Sequence, residues 1–370
     1  MTLKKSDSLS NVCQKFNMLN YKYGEAKMEK KVGILTFHGA DNLGAVLQAY
    51  ALCKYITYNI NVQAEIVDYI CDEVEKTRYA NNCNVIKKMP LMLYYKIKRT
   101  GFEKFRDKFL SLSDRKYVRD DIENCNLLYS TFITGSDQVW NIECSGEDNT
   151  YFLDFVEKGK KKIAYAASIG SIEFKEEKIK EIKKLLKDFN AISVRESSSI
   201  QKLGLEEKTP ILPDPVFLLD KSQWKDVVTN RVKKKKYILV YLIQEDVNVV
   251  RAAREYAAKY NYDIIINKKS IKFILNNSPD CFLNWIDNAE AVFTNSFHGT
   301  AFSIIFKKKL AADIALSNGG VNNRIRELLC SAGLEECIIS NNKIKPVRAE
   351  ADEWLKVQRK KAYDFLKNNI

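Results

Sequence analysis

The sequence predicts an α/β protein built from two Rossmann-like parallel-sheet domains that face each other across a cleft. Three observations carry this. Compact apolar runs alternate with helical stretches through both halves of the chain. At 370 residues the chain exceeds one ordinary domain. Polar, glycine-broken motifs fall at the predicted carboxyl ends of strands, where ligands collect in such sheets.

Taken in order, residues 1–30 carry no apolar core segment and form a leader or flexible arm. KVGILTF (31–37) is the first strand, and AVLQAYALCKYI (45–56) is a helix with Val46, Ala49, Tyr50 and Cys53 at helical spacing. AEIVDYI (64–70) is the next strand, so the first unit is strand-helix-strand. Residues 72–120 are basic and aromatic with helical segments, an excursion too long for a plain crossover that would wall an acceptor site. Strands then return at 127–135, 161–170 and 191–196. An amphipathic helix spans 175–189, and Gly204 ends the helix begun by SSSIQKL. PILPDPVFLLD (210–220) has three prolines, which exclude a regular helix over its first half.

The second unit starts after VKKKK. Its strands are YILVYLI (237–243), YDIIIN (262–267), EAVFTNS (290–296) and, last, KLAADI (309–314). Helices are expected over 246–260, 278–289, 299–308 and 323–333. The domain boundaries follow: 31–222, 236–345, and a terminal helix in 346–370 that packs back on the first domain.

Composition narrows the function classes. Hydrophobic content of 46% supports substantial cores. No apolar run is long enough to cross a membrane. Nine cysteines without a CxxC pair argue against a disulfide scaffold or zinc cluster, and for a reducing cytoplasm. Cys53 and Cys330 fall in helical patterns and are expected as small buried apolar residues. The formal charge of +13 comes largely from local lysine clusters that are not interleaved with aromatics, so nucleic acid is set aside. The clusters are solvated turns and helix ends, or they attract anionic metabolites or the acidic face of a membrane bearing a lipid-linked substrate. A peripheral membrane contact and a homo-oligomer both stay open.

Only two histidines occur, and both sit at predicted strand-to-helix junctions. In TNSFHGTAF, His298 and Ser296 precede a helix whose first N–H groups, at Gly299 and Thr300, attract anions. His298 would bind a phosphate or donate a proton; the bland alternative is a capping or interface histidine. In HGADNLGAVLQAY, Gly44 permits close backbone approach, and Asn42 is a cap or a substrate-binding amide. His38 is a ligand residue or a turn residue. FITGSDQVWN offers Ser136, Asp137 and Trp140: a base or cap, with an indole that is a sugar platform or a core member. In SVRESSS, Arg195 projects from a strand end, where it clamps an anion or pairs with Glu196 or Asp214. Arg324, near a helix start, faces the cleft or solvent.

These segments, with AYAASIG, LPDPVFLL and NNRIRELL, run in order over residues 36–329 and resemble the polysaccharide pyruvyl transferase family. The resemblance implies a GT-B-like pair of domains and transfer of a pyruvyl group from phosphoenolpyruvate to a sugar diol, giving a ketal and phosphate. The acceptor would be a saccharide or lipid-linked saccharide of a surface polysaccharide. Arg195 and His298 match positions implied in donor binding and catalysis, and Arg324 matches a recurring arginine. Asp137 is the candidate base. Relatives carry an aromatic where Leu43 stands here. No metal and no cofactor beyond the donor substrate are expected. Two other readings stay open: a glycosyltransferase using a nucleotide sugar, with Asp263, Asp280 or Asp287 at the ribose, and a binding protein on a degenerate transferase scaffold.

Overall fold

The structure, a computed structural model, describes residues 31–79, 89–170, 172–228, 235–315, 322–339 and 346–370. The expected leader, 1–30, lies outside the described residues.

The first domain runs β1 (Lys31–Leu35), α1 (Leu43–Tyr55), β2 (Gln63–Tyr69), α2 (Asp72–Tyr79), α3 (Met89–Phe109), β3 (Leu112–Tyr117), β4 (Thr131–Thr134), α4 (Ile142–Ser145), β5 (Lys161–Ala167), α5 (Glu176–Leu186), β6 (Ala191–Val194) and α6 (Ser197–Leu203). Its strands form one parallel sheet in the order β3-β2-β1-β4-β5-β6, the doubly wound arrangement. Central β1 and β4 are almost wholly buried because helices cover both sheet faces.

The stretch 72–120 is not an excursion from this sheet. It holds two helices and β3, and so makes the crossover to an edge strand. The LSDRKY of β3 buries little beyond Ser113 and Tyr117, and such a strand leaves no apolar run to find in a sequence.

After α7 (Lys221–Lys225) the second domain runs β7 (Tyr237–Tyr241), α8 (Val247–Tyr260), β8 (Asp263–Ile266), α9 (Ile271–Ile274), α10 (Pro279–Asp287), β9 (Ala291–Thr294), α11 (Phe297–Ile305), β10 (Lys309–Ala312), α12 (Asn323–Ser331), β11 (Val347–Arg348) and α13 (Asp352–Asn369). The strand order is β11-β10-β9-β7-β8. All neighbours are parallel except the two-residue β11, which follows the strand expected to be last. These are two Rossmann-like domains in a GT-B-like arrangement.

The seam between them is apolar. Tyr50 of α1, Trp224 of α7 and Phe302 of α11 pack in series, the first pair tilted and the second edge-to-face, with ring centroids 5.6 and 5.0 Å apart. Helix α13 then returns to the first domain. Arg359 donates to the carbonyls of Phe217 and Leu219, and Lys161 donates to those of Asn369 and Ile370. Cys53 is buried as expected, but Cys330 is exposed. Ile325, Leu328 and Leu329 make the inner face of α12 and turn Cys330 outward.

Asp313, just past β10, sits beside the Asp246 carboxylate. Burial, together with this like-charged neighbour, pushes its carboxyl up to about 6. The folded state then holds this proton more tightly than the unfolded chain does. Stability from this group falls as pH rises from the ordinary carboxylate range through 6, and the loss is complete above that. Asp313→Asn is therefore expected to raise Tm at pH 8 and to give no advantage near the ordinary carboxylate range. Thermal unfolding at both pH values checks this, and an equal gain at each would contradict it.

Candidate active site

Parallel strands deliver their following loops to one edge of a sheet, and both sheets use this edge for the polar motifs. Arg195 follows β6 and Asp137 follows β4. Asp137 has φ +74°, a left-handed conformation that Asp tolerates, and its backbone bridges to Ala167, the last residue of β5. Asp214 comes from the proline-bounded segment, where it caps a short turn by accepting from the N–H of Val216.

These groups converge on Arg195. Its Nη1 lies 2.9 Å from Asp214 Oδ2 and 3.9 Å from Asp137 Oδ1. Its Nε faces Glu196 Oε2 at 3.4 Å, and Nη2 donates to Ser168 Oγ at 3.2 Å. Three of the five guanidinium N–H donors are thus engaged. The Phe297 ring lies under the guanidinium carbon at 5.1 Å. Burial alone would lower the Arg195 pKa, but Glu196, Asp214 and Asp137 reverse this and raise it.

His298, on the first turn of α11, brings the second domain to the same carboxylate. Its Nε2 lies 3.6 Å from Asp214 Oδ2, too long for a hydrogen bond, and has no other partner among the described residues. Burial would raise the Asp214 pKa; His298, Arg195 and the Val216 N–H outweigh it and hold the carboxyl below its ordinary value. Gly44, at the start of α1, supplies the wall behind the imidazole. A Cβ built there would stand 2.0 Å from His298 Cε1 and 2.2 Å from Nδ1. The missing side chain is what lets the two domains meet at this ring.

Arg195, Asp214, Phe297 and Arg324 line a cavity of about 470 Å³ with Trp354 and Lys361 of α13. His298 touches this wall through Asp214 but does not itself line the cavity. Arg324 has no carboxylate partner among the described residues. Burial, and then the charge of Arg195, lower its pKa against the opposing pull of Glu196 and Asp137. A partly desolvated cation beside a second cation gains by taking an anion.

The other candidates have defined places. Ser296 Oγ accepts from Gly299 N and caps α11. A Cβ on Gly299 would meet Thr294 Oγ1 at 2.5 Å, so glycine is needed there. Thr300 and Ser136 are buried with unpartnered hydroxyls. Asn42 Oδ1 accepts from the N–H groups of Gly44 and Ala45 and caps α1. Asn42 and Asp137 line a second cavity, of about 320 Å³, with Tyr95 and Lys98 of α3. His38 is buried, its ring nitrogens 3.1 Å from the Thr36 carbonyl and 3.1 Å from Asp68 Oδ1. Trp140 lies in the core, stacked on Phe152 and donating to the Tyr151 carbonyl, with no open face.

Of the ribose candidates, Asp287 pairs with Lys221 and Lys225, Asp280 accepts from Ser278, and Asp263 begins β8 at the opposite sheet edge. Ser168 and Phe297 were not singled out by the sequence motifs, and Asp214 and Glu196 appeared there only as ion-pair partners for Arg195. Among the described residues, no three His, Cys, Asp or Glu side chains gather as a metal site. No helix of these residues is long and apolar enough to cross a membrane.

Several solved structures are similar to this chain at low identity. A protein from Klebsiella pneumoniae subsp. pneumoniae described as functionally uncharacterised is 15% identical, over 89% of this chain and 99% of that one, with a TM-score of 0.42. The UDP-GlcNAc 2-epimerase of Methanocaldococcus jannaschii is 13% identical over 92% and 93%, with a TM-score of 0.47. The E. coli ADP-heptose heptosyltransferase II is 7% identical over 91% and 98%, with a TM-score of 0.37. Likenesses this distant say nothing of substrate. No curated protein matches the chain. The family model for polysaccharide pyruvyl transferase matches residues 42–312, from the cap of α1 to the end of β10, and thereby takes in Arg195, Asp214 and His298. This chain belongs to the polysaccharide pyruvyl transferase family, enzymes of pyruvyl transfer.

Proposed function

We propose that the protein transfers the pyruvyl group of phosphoenolpyruvate to a diol of a sugar in a surface polysaccharide or glycolipid precursor. The observation that carries this is Arg324: a half-buried guanidinium without an ion-pair partner among the described residues, sharing a cavity with Arg195. The donor brings a carboxylate and a phosphate, which match a fork of guanidinium N–H groups. Arg324 takes the larger share of this charge. Arg195, already held by Asp214, Glu196 and Ser168, offers its remaining N–H groups and fixes the carboxylates around it.

His298 serves as the acid. Asp214 stands as counter-charge to Nε2, so the protonated ring is supported where a proton must leave for the donor's methylene carbon. Protonation at C3 makes C2 electrophilic. A sugar hydroxyl adds to C2 and yields its proton to Asp137. Phosphate departs with the C2–O bond electrons and carries off the proton held by Asp137, and the second hydroxyl closes the ketal at C2, its proton returning to His298. The net change is donor plus diol to ketal plus phosphate. The N–H groups of Gly299 and Thr300, expected to meet an anion, are both taken by Ser296, so the leaving phosphate is left to the guanidiniums.

The test is phosphate release from phosphoenolpyruvate against a panel of soluble and lipid-linked sugars, with the ketal identified by mass. Release that depends on a diol acceptor, and falls at least about 100-fold in His298→Ala, is the expected result. Failure of the folded protein to bind phosphoenolpyruvate would sink the proposal. Binding of a nucleotide sugar instead would select the glycosyltransferase reading.

A further inference from the structure

A second face of the molecule has chemistry that pyruvyl transfer leaves unused. At the carboxyl ends of β7 and β8 lies a cavity of about 360 Å³ whose floor is Leu242, Val247, Val250 and Ile266. Its rim carries Arg251, Arg254, Lys268 and Lys269, against Glu245 and Asp246. None of the four cations has an ion-pair partner among the described residues. Arg251 donates only to the Asn248 amide and Lys268 only to the Ile243 carbonyl. Asp246 is occupied in capping α8.

The apolar residues do not stop at the floor. Val247 is 81% exposed, Ile243 59% and Ile271, at the start of α9, 73%. Lone exposed aliphatics need no explanation, but Val247 lines the pocket itself, and Ile243 and Ile271 follow its lining residues Leu242 and Lys269 closely in the chain. A small phosphorylated ligand would use the rim and leave Ile243 and Ile271 in water. A bilayer surface uses both, since aliphatic tips enter the headgroup boundary while lysine and arginine meet anionic phosphates.

We propose that this face docks the protein on an anionic phospholipid membrane. The geometry adds a consequence. Tyr241 of β7 pairs in register with Thr294 of β9, so the same sheet edge leads to Ser296 and His298. Docking there brings the edge that carries the histidine close to the lipid surface. The inference rests on this face alone and stands or falls separately from the transfer reaction.

The experiment is sedimentation of the full chain with vesicles of equal parts phosphatidylcholine and phosphatidylglycerol, against phosphatidylcholine alone. Binding is expected to the anionic vesicles and not to the neutral ones. Arg251→Gln with Arg254→Gln should weaken it about thirty-fold. Val247→Asp, which leaves all four cations, should also weaken it at least about ten-fold, by losing the inserted side chain and adding a repelled charge. All changed positions are solvent-facing, and thermal unfolding verifies the fold. Lys158→Gln with Lys187→Gln, at exposed lysines elsewhere, serves as control and should bind as the parent does. Equal binding to neutral vesicles would overturn the proposal, as would full binding by the double arginine variant. So would an effect of the arginines without any effect of Val247, which marks a site for soluble polyanions. Phosphoenolpyruvate binding, measured in the same variants, should not change.

Discussion

Gly44→Ala should reduce kcat/KM by about 100-fold or more while leaving the protein folded. The added methyl would stand 2.0 Å from the imidazole of His298, well inside contact distance. Either the ring turns away from Asp214 or α1 withdraws from α11, and each outcome displaces the acid from its counter-charge. Phosphoenolpyruvate affinity should change far less, because Arg195 and Arg324 are untouched. Steady-state kinetics alongside donor binding would check this split. Parental turnover in Gly44→Ala would mean that His298 has room to move, and that the close approach serves packing alone. Gly44→Ser, with its larger side chain, should be no better.

Asp214→Asn should be nearly as damaging, by a different route. The amide keeps the shape and can still accept from Val216 N, but it removes the charge that Arg195 and His298 share. Removing one partner of a buried pair destabilises by about 3 kcal/mol at neutral pH. The sign with pH follows from the depressed carboxyl. Its contribution is full above the ordinary carboxylate range and is lost as pH falls through that range to the lower native value. The gap in Tm between parent and variant should therefore persist at pH 7 and close only in strong acid. Turnover should fall about 100-fold as the acid loses the carboxylate beside it. A stability loss with unchanged turnover would make Asp214 a structural residue only.

The fold was legible where its physics is local. Strands β1, β4, β5, β7 and β9 are short runs of buried apolar residues, and helices α5 and α8 carry an apolar stripe. Strand β3 escaped because this edge strand buries only Ser113 and Tyr117, and β11 because two residues carry no period. In the site, Arg195 and His298 stood out by their place at strand ends. Asp214 did not, although it joins them, because a carboxylate between two prolines resembles any turn. Its role comes from a contact between residues 84 apart in the chain, Asp214 and His298, which no spacing encodes. Trp140 shows the converse. Its neighbours suggested recognition, yet the ring is walled in by Phe152, and only the packing decides between the two.

Helix α13 has a consequence for how the chain reaches its native state. Leu355, Ala362, Leu366 and Ile370 belong to the same apolar cluster as Val32 and Ile34 of β1. During vectorial synthesis the sheet of the first domain can assemble early, but part of its apolar surface stays bare until residues 352–370 leave the ribosome. The second domain must be made in the interval. The nascent protein thus carries an uncovered patch for the time needed to translate well over one hundred residues, the period in which a holding chaperone would matter most.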